Sequence, residues 1–552
     1  MHTKGKLVLS PLKGMDENYP QDTHGADLIQ NFTIDARTKG WDNRIGYEKY
    51  LSKATGFGPF AGFGRIDSLF IWSTRYGAKE WVLFETGGSL YYLKPYQQEV
   101  QALQTGRHIP APNETPTSYL PVGRWLVMVN GEDRPTKWLG NLEFKSGSLG
   151  GNVPLNIFPL GWNQRAPIPL PWRVHTNPIT LIPSTRSVSI SSVTNPIAWV
   201  NDDDNTALEF LGSGVAARTN RYRYKVSFIN NAGSESPISD TSKQVVWTND
   251  AGGGSPSGFE TATYAVMVDI PRGPDGTVAR KIYRTYNEED NTTGLFYFCG
   301  QVENNEEEIF LDTCSDALLG SQAPNNSDSV VFPSPNARFA ALFNNCLFID
   351  GGTDQATRLY YSDPGIPDTF KALNYIDLSG RAGGAITGLY AHYGVLLVLR
   401  ERCIDVLSGD YVNGFTVNTL TQGIGARAPK TLATVPDLGV LFLAEDGIYL
   451  VKGGFQGGAV VDIAKISTKI LSTLGRLNTD LMARAVGVYS HKWREYHVYF
   501  PADGEDRPTL GVVLHIENMS WSVRKGYNVG AITTNLDGDI IWGHHTGIGG
   551  GA

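Results

Sequence analysis

Three short stretches of this chain repeat one theme, and the theme limits how they can pack. Asn344-Asn345-Cys346-Leu347-Phe348-Ile349, Tyr393-Gly394-Val395-Leu396-Leu397-Val398 and Leu438-Gly439-Val440-Leu441-Phe442-Leu443 each set a turn signal before a burst of large or β-branched apolar residues. Roughly 45–50 residues separate one burst from the next, the period of propeller blades. A four-strand unit of that length cannot bury both faces of its sheet alone, so it stacks on like neighbours around an axis. The pattern predicts a radial scaffold with a central channel.

The rest of the chain agrees with an all-β reading. It has 552 residues, too many for one ordinary core. Apolar residues make up 41% and charged residues 18%, which places it among globular chains. Tyr (25), Trp (12) and Gly (62) are abundant, and aromatic strands broken by glycine turns are the result. The net charge of −8 supplies no basic field to hold phosphates, which argues against tight nonspecific nucleic-acid binding. No apolar run nears the 18 residues of a membrane span, and no signal peptide is read at Lys4-Gly5-Lys6-Leu7-Val8-Leu9, so synthesis in a cytoplasm is expected.

Residues 1–50 read as an amino-terminal arm that contributes to ring closure or to an interface. Ser68–Trp72, Glu80–Phe84 and Ser89–Leu93 then predict a meander, with Gly87-Gly88 at a hairpin turn. Arg124–Val129 and Thr136–Leu139 begin a second unit. Pro154, Pro159, Pro167, Pro169 and Pro171 mark a connector or extended brace, because proline donates nothing to a ladder. Residues 51–172 are therefore the first part of the propeller plus this connector. After an intervening insert, residues 329–552 supply the remainder. Arg358–Tyr361, Cys403–Leu407, Gly447–Val451, Glu495–Phe500, Gly511–Ile516 and Asp539–Trp542 add strands, and Ser467–Leu474 predicts a helix stopped by Gly475. A second short helix is expected from Asn478-Thr479. The count is about six blades, and closing the ring calls for a strand near one terminus to complete a blade begun at the other.

Residues 173–328 change texture, with more Ser, Thr and Asn. Arg221–Ile229 alternates polar and apolar residues, as a half-exposed sandwich strand does. The tract Tyr224–Pro237 resembles the late strand and loop of a fibronectin type III module. The fold expected is a β-propeller of about six blades with an inserted fibronectin type III-like β-sandwich.

Chemistry-bearing patterns are sparse. His544-His545 are neighbours that a strand would point to opposite faces, and His491 and His497 flank a strand and are not expected to share a face; no H-E-x-x-H occurs. Asp202-Asp203-Asp204 lacks calcium-loop spacing and reads as a solvated turn. Ser362-Asp363-Pro364-Gly365 fits a sialidase Asp-box poorly. Gly351-Gly352, Gly383-Gly384 and Gly453-Gly454 are turn glycines without the helix and lysine that phosphate cradling requires. No C-x-x-C pairs the four cysteines; Cys299, Cys346 and Cys403 read as buried thiols, with a Cys299–Cys314 disulfide conceivable across a hairpin. No catalytic, metal or cofactor-binding residue is assigned, and no enzyme is expected.

Arg338–Ile349, followed by Arg358-Leu359-Tyr360-Tyr361-Ser362-Asp363-Pro364-Gly365, resembles the tail nozzle or tail hub proteins of short-tailed bacteriophages. Ala385–Leu389, Leu396–Val398, Asp446–Tyr449, Asn31–Asp35 and Gly46-Tyr47 extend the likeness, which is strongest over residues 335–455. The resemblance implies a structural protein of the virion tail, made in the host cytoplasm and assembled as a homo-hexamer. It would line or gate the channel for DNA exit, below an adaptor or tail-tube ring protein and beside tail fibre or spike proteins. Genomic DNA would pass without sequence-specific binding. An alternative is a carbohydrate-binding or carbohydrate-cleaving propeller that uses Trp81, Trp125 or Trp138 as sugar platforms. A third reading is a hub that plugs the portal channel.

Overall fold

The computed structural model describes residues 32–34, 41–43, 65–73, 80–93, 100–111, 114–123, 125–138, 157–162, 165–174, 219–242, 244–248, 265–274, 276–287, 294–307, 309–312, 314, 316–324, 332–452 and 462–544. The chain forms two compact units. One comprises Met1–Pro159, Ser334–Pro364 and Tyr375–Ala552; the other comprises Leu160–Pro333 and Gly365–Asn374. The second unit thus begins ahead of residue 173 and takes in a loop from the later part of the chain.

The first unit is a β-propeller. Among the described residues six antiparallel sheets each have four strands in simple sequence order. Sheet I holds Ile66–Ser73, Glu80–Thr86, Ser89–Leu93 and Val100–Gln104; sheet II holds Ser118–Val122, Trp125–Val129, Thr136–Trp138 and Ile157–Pro159. Sheet III holds Ala340–Phe343, Cys346–Gly351, Gln355–Tyr361 and Tyr375–Asp377; sheet IV holds Ile386–His392, Val395–Arg400, Cys403–Asp410 and Gly414–Gln422. Sheet V holds Ala433–Val435, Gly439–Ala444, Gly447–Lys452 and Asp462–Lys465; sheet VI holds Val486–Ser490, Glu495–Pro501, Pro508–His515 and Ser520–Lys525. The hairpin Val529–Thr534/Ile540–His544 takes a seventh position. The expected six blades correspond to the six complete sheets.

The repeated apolar burst is the second strand of each blade, and its composition follows from its place. Neighbouring sheets cover both of its faces, so Cys346–Gly351, Val395–Arg400 and Gly439–Ala444 are buried at every position rather than alternately. Shared apolar clusters join sheet I to II, III to IV, IV to V, V to VI and VI to the terminal hairpin. The Gly131 amide donates to the Ala337 carbonyl at 3.0 Å between sheets II and III. The ring closes where Ile66 of sheet I packs on the bare Cα of Gly543 in the terminal hairpin; a Cβ there would lie 2.4 Å from Ile66. The first strands meet one another around the axis.

The turn signals ahead of the bursts are the tight turns between first and second strands. Asn344 and Asn345 (φ 45° and 62°) and Tyr393 and Gly394 (φ 35° and 84°) occupy the left-handed region at both central positions. This is the turn whose twist matches a hairpin, and Asn and Gly are the residues that adopt it readily.

The Pro-rich stretch contains two strands, both at sheet edges. Ile157–Pro159 is the outer strand of sheet II, and Leu170–Val174 is an edge strand of the second unit. An edge tolerates the missing amide donors. The predicted helix after Ser467 is a 3-10 turn at Thr468–Ile470 continued by one α turn, Leu471–Leu474; Ile470 and Leu474 are buried while Leu471 faces solvent. The segment from Asn478 forms a 3-10 helix, Thr479–Arg484. The arm of residues 1–50 lies outside the described residues except for the pair Phe32–Ile34/Trp41–Asn43.

The second unit is built on two three-stranded antiparallel sheets. Ala265–Asp269 lies between Leu170–Val174 and Ile309–Asp312, and Thr277–Thr285 lies between Tyr224–Asn230 and Phe296–Val302. Tyr224, Val226, Phe228, Ile282 and Val268 form a common core with Trp162. Beyond Asn230 the chain doubles back along the free edge of Tyr224–Asn230. The amides of Ser236, Ser239 and Ser242 donate to the carbonyls of Phe228, Val226 and Tyr224. In return their hydroxyls accept the amides of the same three residues at 2.9–3.0 Å. The edge that would otherwise invite another strand is thereby closed.

Candidate functional site

In three sheets the apolar second strand ends in a buried charge: Glu85, Asp350 and Arg400. A charge in that place requires partners. Each finds some of them in the linker that enters or leaves its own sheet and, for Glu85 and Arg400, others in a neighbouring strand. Asp350 accepts the amides of Arg338 and Phe339 at 2.7 and 2.8 Å and pairs with the Arg338 guanidinium at 3.0 Å. Arg400 pairs with Asp405 at 3.3 Å and donates to the carbonyls of Gly384 and Arg381 at 2.9 and 3.1 Å. Glu85 pairs with Arg107 at 2.8 Å and accepts the Ser68 and Thr117 hydroxyls.

The linker between sheets I and II, residues 105–117, goes further. Lys430, just ahead of sheet V, donates to the Thr117 carbonyl at 2.7 Å. Arg484, just ahead of sheet VI, donates to the Pro110 carbonyl at 2.7 Å and also to that of Ala111; Arg65 reaches the same Pro110 carbonyl at 3.0 Å. Lys430 and Thr117 stand ahead of sheets V and II, which are not neighbours in the ring, while Arg484 and Arg65 hold Pro110 beside the seam that the terminal hairpin closes. Burial pushes the Lys430 amine down to about 8, with Glu85 opposing the shift. Asp67, beside Arg65 and Arg484, has its carboxyl raised by burial, which the two arginines oppose.

Sheet VI contains a second buried polar group. Glu495 accepts from His497 Nε2 at 2.8 Å and lies 3.2 Å from His515 Nδ1, and the other nitrogen of His515 is 3.0 Å from the Ser522 hydroxyl. Burial raises the Glu495 carboxyl, but the hydrogen bonds from His497 and His515 outweigh it and hold the group well below the usual carboxylate range. The order of groups is that of a hydrolase triad. Ser522 is wholly buried, however, and the Arg524 guanidinium donates to its hydroxyl at 3.1 Å, so no substrate reaches it. In the second unit Asp312 joins the two sheets, accepting from Tyr224 at 2.6 Å and pairing with Arg284 at 2.8 Å.

The residues singled out from sequence fall mostly into packing roles. Trp125 and Trp138 are buried, and Trp81 is half-buried against Trp138 with ring centroids 5.4 Å apart. Trp125 and Trp138 therefore offer no ring face to a sugar; among the described residues the exposed aromatic rings are Tyr393, Trp493 and Tyr375. All four cysteines are free, Cys299 and Cys314 included. His497 belongs to the Glu495 group. Asp202-Asp203-Asp204, Gly453-Gly454 and His545 lie outside the described residues. Among the described residues no His, Cys, Asp and Glu cluster fit to hold a metal is present, and no helix is long and apolar enough to cross a membrane. The buried charges that end the second strands went unread in the sequence. Their signal was there: V-L-F-E at 82–85, L-F-I-D at 347–350 and L-V-L-R at 397–400 each close an apolar run with a charge.

No protein-family model and no curated protein matches the chain. Among solved structures it is similar to Hsv2 of Kluyveromyces lactis, at 12% identity over 47% of this chain and 57% of that one, with a TM-score of 0.20. It is also similar to the Pan2 WD40 domain of Neurospora crassa (8% identity, 51% and 82% covered, TM-score 0.26). A third likeness is to YCF48 of Cyanidioschyzon merolae (8% identity, 82% and 92% covered, TM-score 0.25). The chain spans little more than half of the Hsv2 chain. The propeller assignment rests on the order of the sheets and the contacts between them.

Proposed function

We propose that this chain is a virion structural protein, the distal tail nozzle of a short-tailed phage, that works as a rigid wall element around the DNA exit channel. The observation that supports it most is what the residues of the nozzle-like segment do. Arg338 and Asp350 clamp a linker, Asn344-Asn345 make the tight turn, and the Ser362 hydroxyl accepts the Leu347 amide at 2.9 Å. Asp363 accepts from the Tyr411 hydroxyl of sheet IV at 2.8 Å. The polar side chains of this motif serve rigidity rather than a reaction.

On this reading the conduit is the space enclosed by six copies. The unit Leu160–Pro333 is a fibronectin type III-like sandwich on which fibre, spike or adaptor proteins dock. Electron microscopy of the purified chain, alone and with its adaptor ring, tests the proposal. Six-fold rings with an open centre are expected, and a strictly monomeric particle in both samples overturns it. A glycan array run on the same material addresses the carbohydrate-binding alternative, which predicts saturable sugar binding by a monomer.

A further inference from the structure

Half a blade stands at the seventh position of the ring among the described residues. Val529–Thr534 meets the first strands of sheets I and VI, and Ile540–His544 is its one partner strand there, whereas each of the six sheets has a third and a fourth strand. The two walls that flank this place are nevertheless buried. On sheet I, Val82, Phe84, Leu93 and Val100 are at most 8% exposed, and the apolar cluster they form contains residues of sheet I only; it is the other face of this sheet that packs on sheet II. On sheet VI, Ser520, Ser522 and Arg524 of the fourth strand are wholly buried, and the register puts them with His515 on the face opposite the one packed on sheet V. The fourth strand of a sheet stands about 14 Å from its first, so a hairpin laid against the first strands does not cover Val100 or Arg524. We propose that the amino-terminal arm, residues 1–64, completes the seventh blade by filling the space between the outer strands of sheets I and VI.

Length and position single out the arm. It belongs to the propeller's compact unit, and it leads through Arg65 directly into the strand whose Ile66 packs on Gly543 at the seam. A pair of blade strands takes roughly a dozen residues, and 64 are at hand. The other stretches of this unit outside the described residues do not qualify. Residues 139–156 are held at both ends by sheet II and 453–461 by sheet V, while 74–79 and 94–99 each join two strands of sheet I. Residues 545–552 are short and rich in Gly.

The strand pair described within the arm has the two faces this space calls for. Phe32–Ile34 runs antiparallel to Trp41–Asn43, with Ile34 opposite Trp41 and Phe32 opposite Asn43. Alternation then places Phe32, Ile34 and Trp41 on one face of the pair and Thr33 and Asp42 on the other. The apolar face answers the wall of Val82, Phe84, Leu93 and Val100. The polar face, with its carboxylate, answers the serines and the guanidinium of Arg524, a buried charge that requires polar company.

The test cuts the arm loose after folding. A site for a sequence-specific protease is inserted between Gly58 and Pro59 of the full chain, the folded protein is cleaved, and the products are run on gel filtration. The freed segment is expected to stay with the rest of the chain in native buffer and to leave it in urea. Ile34→Asp, which charges the apolar face of the arm and leaves the six sheets untouched, is expected to lower the retained fraction at least tenfold, and Val100→Asp to do the same from the opposing wall. Should Val100→Asp fail to fold, Ile34→Asp decides. Val412→Asp, at a fully exposed turn of sheet IV, is the control and leaves retention unchanged. Amine crosslinking of a mixture of isotope-labelled and unlabelled chains, read by mass spectrometry, is expected to join arm and sheets of the same copy. The proposal is overturned by release of the segment from the wild type in native buffer, by equal retention in Ile34→Asp, by an equal loss in Val412→Asp, or by crosslinks that join the arm of one copy to the sheets of another.

Discussion

The amine of Lys430 hydrogen-bonds the backbone carbonyl of Thr117, 313 positions earlier in the chain. Lys430 stands ahead of sheet V and Thr117 ahead of sheet II, so the bond ties two sheets that are not neighbours through a linker instead of through apolar packing. A ring of sheets held only by neighbour contacts can open at any seam. A bond between sheets that are not neighbours adds a constraint that those contacts lack.

This tie carries a pH signature. The Lys430 amine is pushed down to about 8 in the folded chain from its ordinary value of 10.5. Between those two values the unfolded chain binds the proton and the folded chain does not, so this group makes stability rise with pH across that window and leaves it flat below. In Lys430→Met the contribution is absent. Denaturant melts at pH 7, 8, 9 and 10 are expected to show the wild type gaining on the variant only above pH 8. A constant difference across the series contradicts the assignment.

Glu495 carries the opposite sign. Its carboxyl is held below the usual range once His497 and His515 donate to it, so the stability it supplies is complete above the unfolded value of about 4.5 and is lost as pH falls toward the folded one. Glu495→Gln removes the negative charge from between two buried imidazoles and is expected to cost about 3–5 kcal/mol at neutral pH, the range for a broken buried pair. Urea melts at pH 7 measure the cost, and a variant as stable as the wild type refutes the role given to Glu495.

The serine ladder gives the second unit its own test. Ser239→Ala leaves the Val226 amide without the hydroxyl it donates to, in a place where both residues are buried. A buried orphan donor costs about 1–3 kcal/mol. Ser379→Ala, on an exposed loop of the propeller, is the control and is expected to stay within about 0.5 kcal/mol of wild type. Chemical denaturation followed by the fluorescence of Trp162, in the second unit's core, reads the difference. Equal melts for the two variants refute the ladder's contribution.

What the sequence disclosed was whatever is enforced locally. A tight hairpin turn demands Asn or Gly at two adjacent positions, and a strand covered on both faces demands an unbroken apolar run; Asn344-Asn345 before Cys346–Gly351 displays both. What it withheld depends on distant partners. Nothing near Lys430 or Thr117 announces their bond. The serines at 236, 239 and 242 recur every third residue while the strand they serve recurs every second, so neither period betrays the match. Trp125 and Trp138 show the converse limit: an aromatic side chain in a strand looks the same whether it will line a sugar site or fill a core, and only the neighbouring sheet decides.

Tyr393 departs from the local rule and is open to a direct test. It occupies the first central position of the turn between the first two strands of sheet IV with φ 35°, where Asn344 stands in sheet III with φ 45°. For an L residue with a bulky side chain this region costs about 1–2 kcal/mol, while Gly enters it at no steric cost and Asn with little. Tyr393 recovers little by packing, being 61% exposed with its ring near His392. Tyr393→Asn is therefore expected to raise stability by about 1 kcal/mol, and Tyr393→Val, β-branched in the same turn, to lower it by a similar amount. The order Asn above Tyr above Val in denaturant midpoint checks the turn geometry. Strain kept at an exposed aromatic side chain is a mark of surfaces that serve a contact. The same two variants thus separate folding from assembly: if Tyr393→Asn is more stable yet forms fewer rings under the microscope, the face of the propeller carrying this turn is where copies or tail partners meet, and if ring yield follows stability in both variants, it is not.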